Sequence, residues 1–281
     1  MSGGRVQQKP PIVLPLGEGE ELVFRHIPAG TFRMGARGYE ANEEPVTEVF
    51  VEEFWMGETP VTRGQYRILA EWAEKKLQKV EGFAGGEPNS IETEEDARRS
   101  VTEVNWHEAI GVGSELTRRM GDFEALRDLR DDFVINLPTE AQWERACRAG
   151  TETEYSAGDG AIALEEVGYF GRDRDSGPFP VKGKSPNCWD LWDCHGNVLE
   201  WCQSEWESGA TRLLVPSEGG IEREGEGRVL RCGAWLNFAR VCRSAFRDWD
   251  WPGIRARFYG FRLAVVPSPT FAEASAGKPS S

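Results

Sequence analysis

The chain has 281 residues, a formal net charge of −14, 39% hydrophobic residues and 28% charged residues, a composition typical of a globular protein large enough to bury a core. This negative charge repels nucleic acid and anionic membranes and argues against both as partners. No apolar run is long enough for a signal-peptide core or a membrane span. This predicts a cytoplasmic protein whose six cysteines are mostly reduced.

The N-terminal half predicts short strands. Residues 1–20 are polar and rich in Pro and Gly, which is typical of a flexible arm. Val23 to Gly35 alternates apolar and polar residues around turn formers and predicts a hairpin of two strands. Val46 to Gly57 predicts a second extended stretch, and the acidic, Gly-interrupted stretch from Lys75 to Arg99 indicates a surface insertion.

Three helices are predicted from their first residues. In each, a short polar side chain at the N-cap is followed three positions later by Glu or Gln, so that each side chain can accept a hydrogen bond from the other residue's backbone amide. The pairs are Thr62 with Gln65, Asn105 with Glu108, and Thr139 with Gln142. Apolar residues at helical spacing follow each cap, and Gly150 is a suitable stop for the third helix.

Beyond Gly150 the sequence predicts strands and loops but no further helix. Short extended runs cover Gly227 to Trp235 and Gly260 to Val266, and residues 268–281 predict a low-complexity tail. The whole pattern predicts one α+β domain over residues 21–267, with short strands, about three helices and long loops.

Seven phrases, taken in order, resemble one known family. They are IPAGTFRMG (27–35), PVTEVFVEEFWMGETPVTRGQY (45–66), VNWHEA (104–109), LPTEAQWERACRAG (137–150), PNCWDLWDCHGNVLEWC (186–202), RVLRCGAW (228–235) and GFRLA (260–264). Together they resemble the formylglycine-generating enzymes, also called sulfatase-modifying factors. The resemblance implies the C-type-lectin-like fold of that family.

Members of this family often hold calcium near the GNVxEW turn. The resemblance implies the carbonyl oxygens of His195, Gly196 and Val198 and the carboxylate of Glu200 as ligands, and oxygen ligands suit a hard cation. The alternative is that Glu200 caps backbone amides without a metal. His195 is disfavoured as a catalytic base because no carboxylate or nucleophile is spaced to serve it.

The family's oxidase chemistry converts a cysteine of a substrate protein to formylglycine. It uses copper(I) held by two cysteines five residues apart, because soft thiolates suit a soft monovalent metal. Cys242 stands at the second position, but Asn237 stands at the first, and an amide is a poor copper(I) ligand. Cys232 replaces a family glycine, and the sequence leaves open whether it can reach the site. A copper oxidase that uses Cys242 and Cys232 is therefore the alternative function. The chain also lacks the HxxxHxE arrangement of the family's iron-dependent sulfoxide synthases.

Residues 228–262, named here the C-terminal segment, carry the main functional prediction. They contain eight arginines, two acids and many aromatic residues, and Trp, Tyr and Arg dominate binding hot spots. The segment also resembles that of the variable proteins of diversity-generating retroelements, which presents exchangeable surface residues. Against that framework the ligand-binding positions are Leu236, Asn237, Phe238, Val241, Phe246, Asp248, Trp249, Asp250, Trp251, Ile254, Ala256, Phe258 and Tyr259.

The aromatic residues of this segment can also be core, as we expect for Trp235 and Phe261. Burying both Asp248 and Asp250 without partners is costly, however, which favours a solvent-facing loop. We therefore predict an exposed patch, and its members are Trp249, Trp251, Phe258 and Tyr259.

The arginines allow a further alternative, a platform for single-stranded nucleic acid. The charge of −20 outside the segment argues against it and predicts that the arginines pair with acids in bidentate ion pairs. The sequence therefore predicts binding of a protein or surface-exposed ligand through residues 236–259. The remaining alternatives are the copper oxidase and an undiversified family module with a structural role.

Overall fold

The computed structural model describes residues 8–78, 90–207 and 227–268, and these contain eleven strands and five helices. The strands are β1 (Ile12–Gly17), β2 (Glu20–Ile27), β3 (Gly30–Met34), β4 (Thr47–Val51), β5 (Phe54–Gly57), β6 (Phe133–Asn136), β7 (Leu199–Glu205), β8 (Arg228–Arg231), β9 (Asp248–Asp250), β10 (Tyr259–Phe261) and β11 (Ala264–Pro267). The helices are α1 (Arg63–Leu77), α2 (Glu94–Ala97), α3 (Trp106–Arg118), α4 (Glu140–Arg148) and α5 (Gly160–Val167). The predicted α+β class is confirmed.

The three predicted capping boxes are present at the starts of α1, α3 and α4. At α1 the amide of Thr62 donates to the side chain of Gln65 at 2.9 Å, and the amide of Gln65 donates to the Thr62 hydroxyl at 3.2 Å. Helix α4 ends at Arg148, and Ala149 and Gly150 then adopt positive φ angles of 47° and 90°. The left-handed stop expected at Gly150 therefore begins one residue earlier.

The larger sheet has five antiparallel strands in the order β1-β2-β5-β11-β6. It packs with α1 and α3 around the main hydrophobic core. Strand β1 contributes Ile12, Leu14 and Leu16 to that core, because alternate side chains of a strand point to the same face. The prediction of a flexible arm over residues 1–20 is therefore wrong from Ile12 onward.

The hairpin predicted over Val23 to Gly35 is also wrong in its pairing. Both strands exist, but β2 pairs with β1 and β5 whereas β3 pairs with β4 in a separate two-stranded sheet. The guanidinium of Arg145 binds the carbonyl of Pro28 between them at 2.6 Å. Alternating polarity identifies a strand but not its partner.

A four-stranded sheet, in the order β10-β7-β8-β9, holds the C-terminal segment. Strand β10 runs parallel to β7, the other pairs are antiparallel, and β9 lies at the edge. This pairing fixes both ends of the loops between β8 and β10. The side chains of Trp235 and Phe261 are completely buried, as predicted.

Helix α5 contradicts the expectation of no helix after Gly150. Its N-cap residue Asp159 is of a type that favours helix starts, but it makes no side-chain capping bond, and Ile162 stands where a capping box has Glu or Gln. The burial of Leu164 and Val167 anchors the helix. Helix α2 lies within the predicted insertion, of which residues 79–89 fall outside the described residues.

Ser268, the first residue of the predicted tail, is buried, and its amide donates to the carbonyl of Asp132 at 2.7 Å. Residues 269–281 lie outside the described residues. None of the helices in the described ranges combines the length and the apolar character that a bilayer crossing requires. The cytoplasmic location stays a prediction.

Candidate functional site

Asn237 forms two hydrogen bonds with Ala234 across a tight turn. The side-chain oxygen of Asn237 accepts a hydrogen bond from the amide of Ala234 at 2.7 Å, and the amide of Asn237 donates to the carbonyl of Ala234 at 2.9 Å. The side chain is thus committed to local backbone structure. An amide also lacks the soft donor atom that copper(I) prefers.

Cys232 and Cys242 are buried thiols, 1% and 0% exposed. The thiol of Cys232 donates to the carbonyl of Gly196 at 2.9 Å. Burial raises the pKa of Cys242 to about 12 and the pKa of Cys232 well above its ordinary value, so both sulfurs are protonated at neutral pH. A bound metal would displace these protons, so the donor set decides the fit. Asn237 stands at the other family position and the Cys232 thiol contacts the carbonyls of Asp193 and Gly196, so the residues present do not fit the family's copper site.

Glu200, the expected calcium ligand, pairs with an arginine. Its carboxylate accepts hydrogen bonds from Arg262 at 2.6 and 2.7 Å and from the indole of Trp143 at 2.7 Å, and all three side chains are completely buried. A guanidinium bound to both carboxylate oxygens repels a divalent cation. The carbonyl of Gly196, another expected ligand, already accepts from Cys232.

These residues therefore do not fit calcium, and Glu200 is not a cap for backbone amides either. Within the described ranges, no group of three or more His, Cys, Asp and Glu side chains is arranged to hold a metal ion.

The buried side chain of His195 connects two loops. Its Nδ1 lies 2.9 Å from the carbonyl of Cys242, and its Nε2 accepts from the amide of Ser156 at 3.0 Å. This arrangement requires a neutral imidazole that carries its proton on Nδ1. Burial lowers the pKa of His195, which favours the same form. His195 positions the loop that contains Cys242.

Five arginines of the C-terminal segment are buried and pair with glutamates, as the charge balance predicted. Arg228 lies 3.5 Å from Glu205. Arg243 binds Glu43 through two hydrogen bonds of 2.6 and 2.8 Å, and Arg247 binds the carboxylate of Glu140 at 2.5 and 2.8 Å. Arg231 lies between Glu140 and Glu144, and Arg262 binds Glu200. These pairs fix the loops of the segment to the rest of the domain.

The thirteen predicted ligand-binding residues differ in exposure. Four are exposed, namely Phe238, Trp249, Trp251 and Ile254. Eight are half-buried, namely Leu236, Asn237, Val241, Phe246, Asp248, Asp250, Ala256 and Phe258. Tyr259 is 8% exposed, so its predicted place in an exposed patch is wrong. Its ring packs against Trp201 and its hydroxyl donates to Asp250 at 2.8 Å, which also gives that acid a partner.

The structure brings the two exposed indoles, Trp249 and Trp251, together with the half-buried indole of Trp206. The rings of Trp206 and Trp249 are stacked with centroids 6.1 Å apart, and Trp251 meets Trp249 edge-on at 5.5 Å. We name these three residues the indole surface. Trp249 also lies over the backbone of Gly227, where a Cβ atom would come within 2.3 Å of the ring.

Trp206 was missed in the sequence because it precedes the C-terminal segment. Trp206 directly follows β7, and β7 pairs with β8 of the C-terminal segment. A predicted pairing of these two strands would have indicated that Trp206 lies beside the segment. Leu236 and Phe258 lie elsewhere, against the buried cluster of Val198, Ala234 and Trp235.

A cleft of about 260 Å³ lies on another part of the domain. Its charged walls are paired internally, since the Tyr39 hydroxyl donates to Glu154 at 2.6 Å and Arg243 lies over the Tyr39 ring at 3.8 Å. No predicted ligand-binding residue lines it. The indole surface is therefore the better candidate site.

The comparisons with known proteins agree with this architecture. The formylglycine-generating enzyme of Thermomonospora curvata is 28% identical, covering 86% of this chain and 92% of that protein. The serine/threonine-protein kinase pkn1 of Chlamydia caviae is 29% identical over 87% of this chain, but the chain spans only 38% of that relative. The solved structure of Treponema denticola variable protein 1 has a TM-score of 0.72 and 26% identity, covering 92% of this chain and 100% of that chain.

The predicted C-type-lectin-like fold of the formylglycine-generating-enzyme type is thereby confirmed. Residues 17–266 match the model of one family, described as the sulfatase-modifying factor enzyme 1-like domain. The chain belongs to this sulfatase-modifying factor family.

Proposed function

We propose that this protein is a ligand-binding member of the family and that exposed side chains of residues 236–259 form its binding surface. One contrast carries the proposal. Arginines of the C-terminal segment are buried in ion pairs, whereas four large hydrophobic side chains between them face solvent. The described residues expose eight such side chains in total, so half of them lie in this short stretch. Trp249 and Trp251 are in contact with each other, and contiguous exposed apolar side chains mark interaction sites.

The cysteine positions support binding without oxidase chemistry. Asn237 supplies no thiolate, Cys232 and Cys242 are buried, and the Cys232 thiol contacts two backbone carbonyls. We therefore expect the purified protein to bind no stoichiometric copper(I) and to form no aldehyde from a Cys-x-Pro-x-Arg peptide in the presence of oxygen. Mass spectrometry of the peptide measures the outcome. Aldehyde formation by the unaltered chain would refute the proposal, and an Asn237→Cys variant serves as the matched comparison.

Within this function, we favour a variable protein of a diversity-generating retroelement. The similarity to the Treponema denticola variable protein supports it, because that chain is matched over its whole length. We expect the gene to lie near a reverse transcriptase, with a template copy of the stretch encoding residues 228–264 that differs mainly at adenines. Sequencing of the genomic neighbourhood tests this, and a neighbourhood without such a template would contradict diversification.

A further inference from the structure

Arg247 is fixed in position through the edges of its guanidinium group. Its Nε and Nη2 donate to the carboxylate of Glu140 at 2.5 and 2.8 Å, and its Nη1 donates to the carbonyls of Asn42 and Glu207 at 2.9 and 3.2 Å. Arg247 is 2% exposed. The N–H groups of a guanidinium lie in its plane, so these hydrogen bonds leave its faces free to contact a ring.

Trp206 lies on this guanidinium. The Cζ atom of Arg247 is 4.5 Å from the centroid of the Trp206 ring, and the negative face of an indole attracts such a cation. The backbone of Trp206 is held as well, because its amide donates to the carbonyl of Gly227 at 2.8 Å. Both the backbone and the ring of Trp206 are therefore fixed by neighbouring residues.

The ring of Trp249 lies against Trp206 and Gly227. It is stacked on the Trp206 ring, with 6.1 Å between the centroids and 23° between the planes. A Cβ atom at position 227 would lie 2.3 Å from Cε3 of Trp249. The φ angle of Gly227 is outside the left-handed region, so it is the ring of Trp249, and not the backbone conformation, that excludes a side chain there.

These contacts link a buried carboxylate to the exposed end of the indole surface. Trp251 meets Trp249 edge-on, with the centroids 5.5 Å apart, so its environment depends on where the Trp249 ring lies. Trp249 and Trp251 are predicted ligand-binding residues. The residues that support them, Arg247, Trp206 and Gly227, are buried or half-buried and are not among the thirteen predicted positions.

We propose that Arg247, Trp206 and Gly227 are positioning residues of the binding surface. Together they hold the indole of Trp249 in one orientation toward a ligand. This inference rests on the proposed function, because the orientation of Trp249 affects recognition only if this surface binds a ligand.

Circular dichroism of the full chain measures this arrangement. Two stacked indoles couple electronically and give a pair of bands of opposite sign, called here the indole couplet. Trp206→Phe and Trp249→Phe should each remove the couplet, whereas Trp251→Phe should keep it, because the stacked pair is intact. The indole N–H resonance of Trp249, assigned with the Trp249→Phe variant, reports the same ring independently.

We expect Gly227→Ala to abolish the couplet and to shift the N–H resonance of Trp249, because the added methyl group displaces the ring. Gly253→Ala is the matched control. A Cβ atom at position 253 meets nothing within 4 Å, and its φ angle is also outside the left-handed region. This variant should leave the couplet and the resonance unchanged.

We also expect Arg247→Lys to lose the couplet. Lysine keeps a positive charge near Glu140 but has neither the planar face nor the in-plane hydrogen bonds of arginine. Arg243→Lys is the matched control. Arg243 is 3% exposed and makes two hydrogen bonds to Glu43, but it lies over the ring of Tyr39 instead of an indole. This variant should keep the couplet.

An unaltered chain without the couplet would overturn the inference, and so would equal spectra of the two glycine variants. Equal losses in the two lysine variants would overturn it as well, because they would indicate a general loosening of the segment. Urea unfolding shows whether each variant folds, and if Gly227→Ala does not fold, the lysine variants decide. Aldehyde formation in the copper experiment would refute the proposed function while leaving the couplet in place.

Discussion

At the scale of single residues, His195 makes folding sensitive to acid. The folded protein holds it neutral, because Nδ1 donates to one loop and Nε2 accepts from another. Its pKa lies below the ordinary value of 6.5, and burial is the main cause. The unfolded chain therefore takes up a proton that the folded chain does not. The contribution of His195 to stability is complete above pH 6.5 and declines as the pH falls below it.

We expect His195→Gln to abolish this titration. The free energy of unfolding of the unaltered protein should fall relative to the variant on acidification, by at most about 1.4 kcal/mol per pH unit. Urea unfolding at about pH 7.5 and about pH 5 measures the difference.

Asp193 also titrates in this pH range, and its contribution to the pH dependence of stability has the opposite sign to that of His195. Burial raises its pKa from 3.8 to about 6, so its contribution to stability decreases as the pH rises through this interval. Asp193 is present in both proteins, so its effect cancels in their difference. A difference that stays constant with pH would show that His195 does not titrate on unfolding.

The loss of a copper(I) ligand at position 237 could be predicted from the identity of Asn237 alone, because an amide offers no soft donor atom. The burial of Tyr259 could not. It depends on the parallel pairing of β10 with β7 and on a hydrogen bond to Asp250. Both are contacts that residue type and local spacing do not encode.

At the scale of elements, the pair of Arg262 and Glu200 joins the connection between β10 and β11 to strand β7. Arg262→Met leaves the carboxylate of Glu200 buried with only the indole of Trp143 as a partner. We expect a loss of about 3–5 kcal/mol in the free energy of unfolding, because a buried charge then lacks compensation. The urea midpoint measures it.

Arg33→Met is the matched control. Arg33 pairs with Glu152 at 3.3 Å, but the side chains are 52% and 71% exposed, and such pairs contribute less than about 1 kcal/mol. Similar losses in the two variants would contradict the structural role assigned to the buried pair.

The helices with capping boxes were predictable because their signals are local. Helix α5 has no capping box and is held by the burial of Leu164 and Val167, so the signal that predicted the other helices does not predict it. The sequence predicted the strands β2 and β3 correctly but not which strands they pair with. The separation of β2 from β3 into two sheets is a property of the assembled domain.

At the scale of the whole molecule, the charge balance predicted that the arginines of the C-terminal segment pair with acids. It could not identify the acids. Arg243 and Arg247 bind Glu43 and Glu140, which lie 200 and 107 positions away in the chain. Only the folded domain determines which carboxylates meet the segment.

The buried Arg–Glu pairs separate two requirements that usually conflict in a binding loop. Fold stability is provided by ion pairs beneath the surface, whereas the proposed function assigns recognition to Trp249, Trp251 and their exposed neighbours. Replacing an outer side chain then removes few interior contacts. If the segment is diversified as proposed, its variants can acquire new ligands while the ion pairs that hold the backbone stay the same.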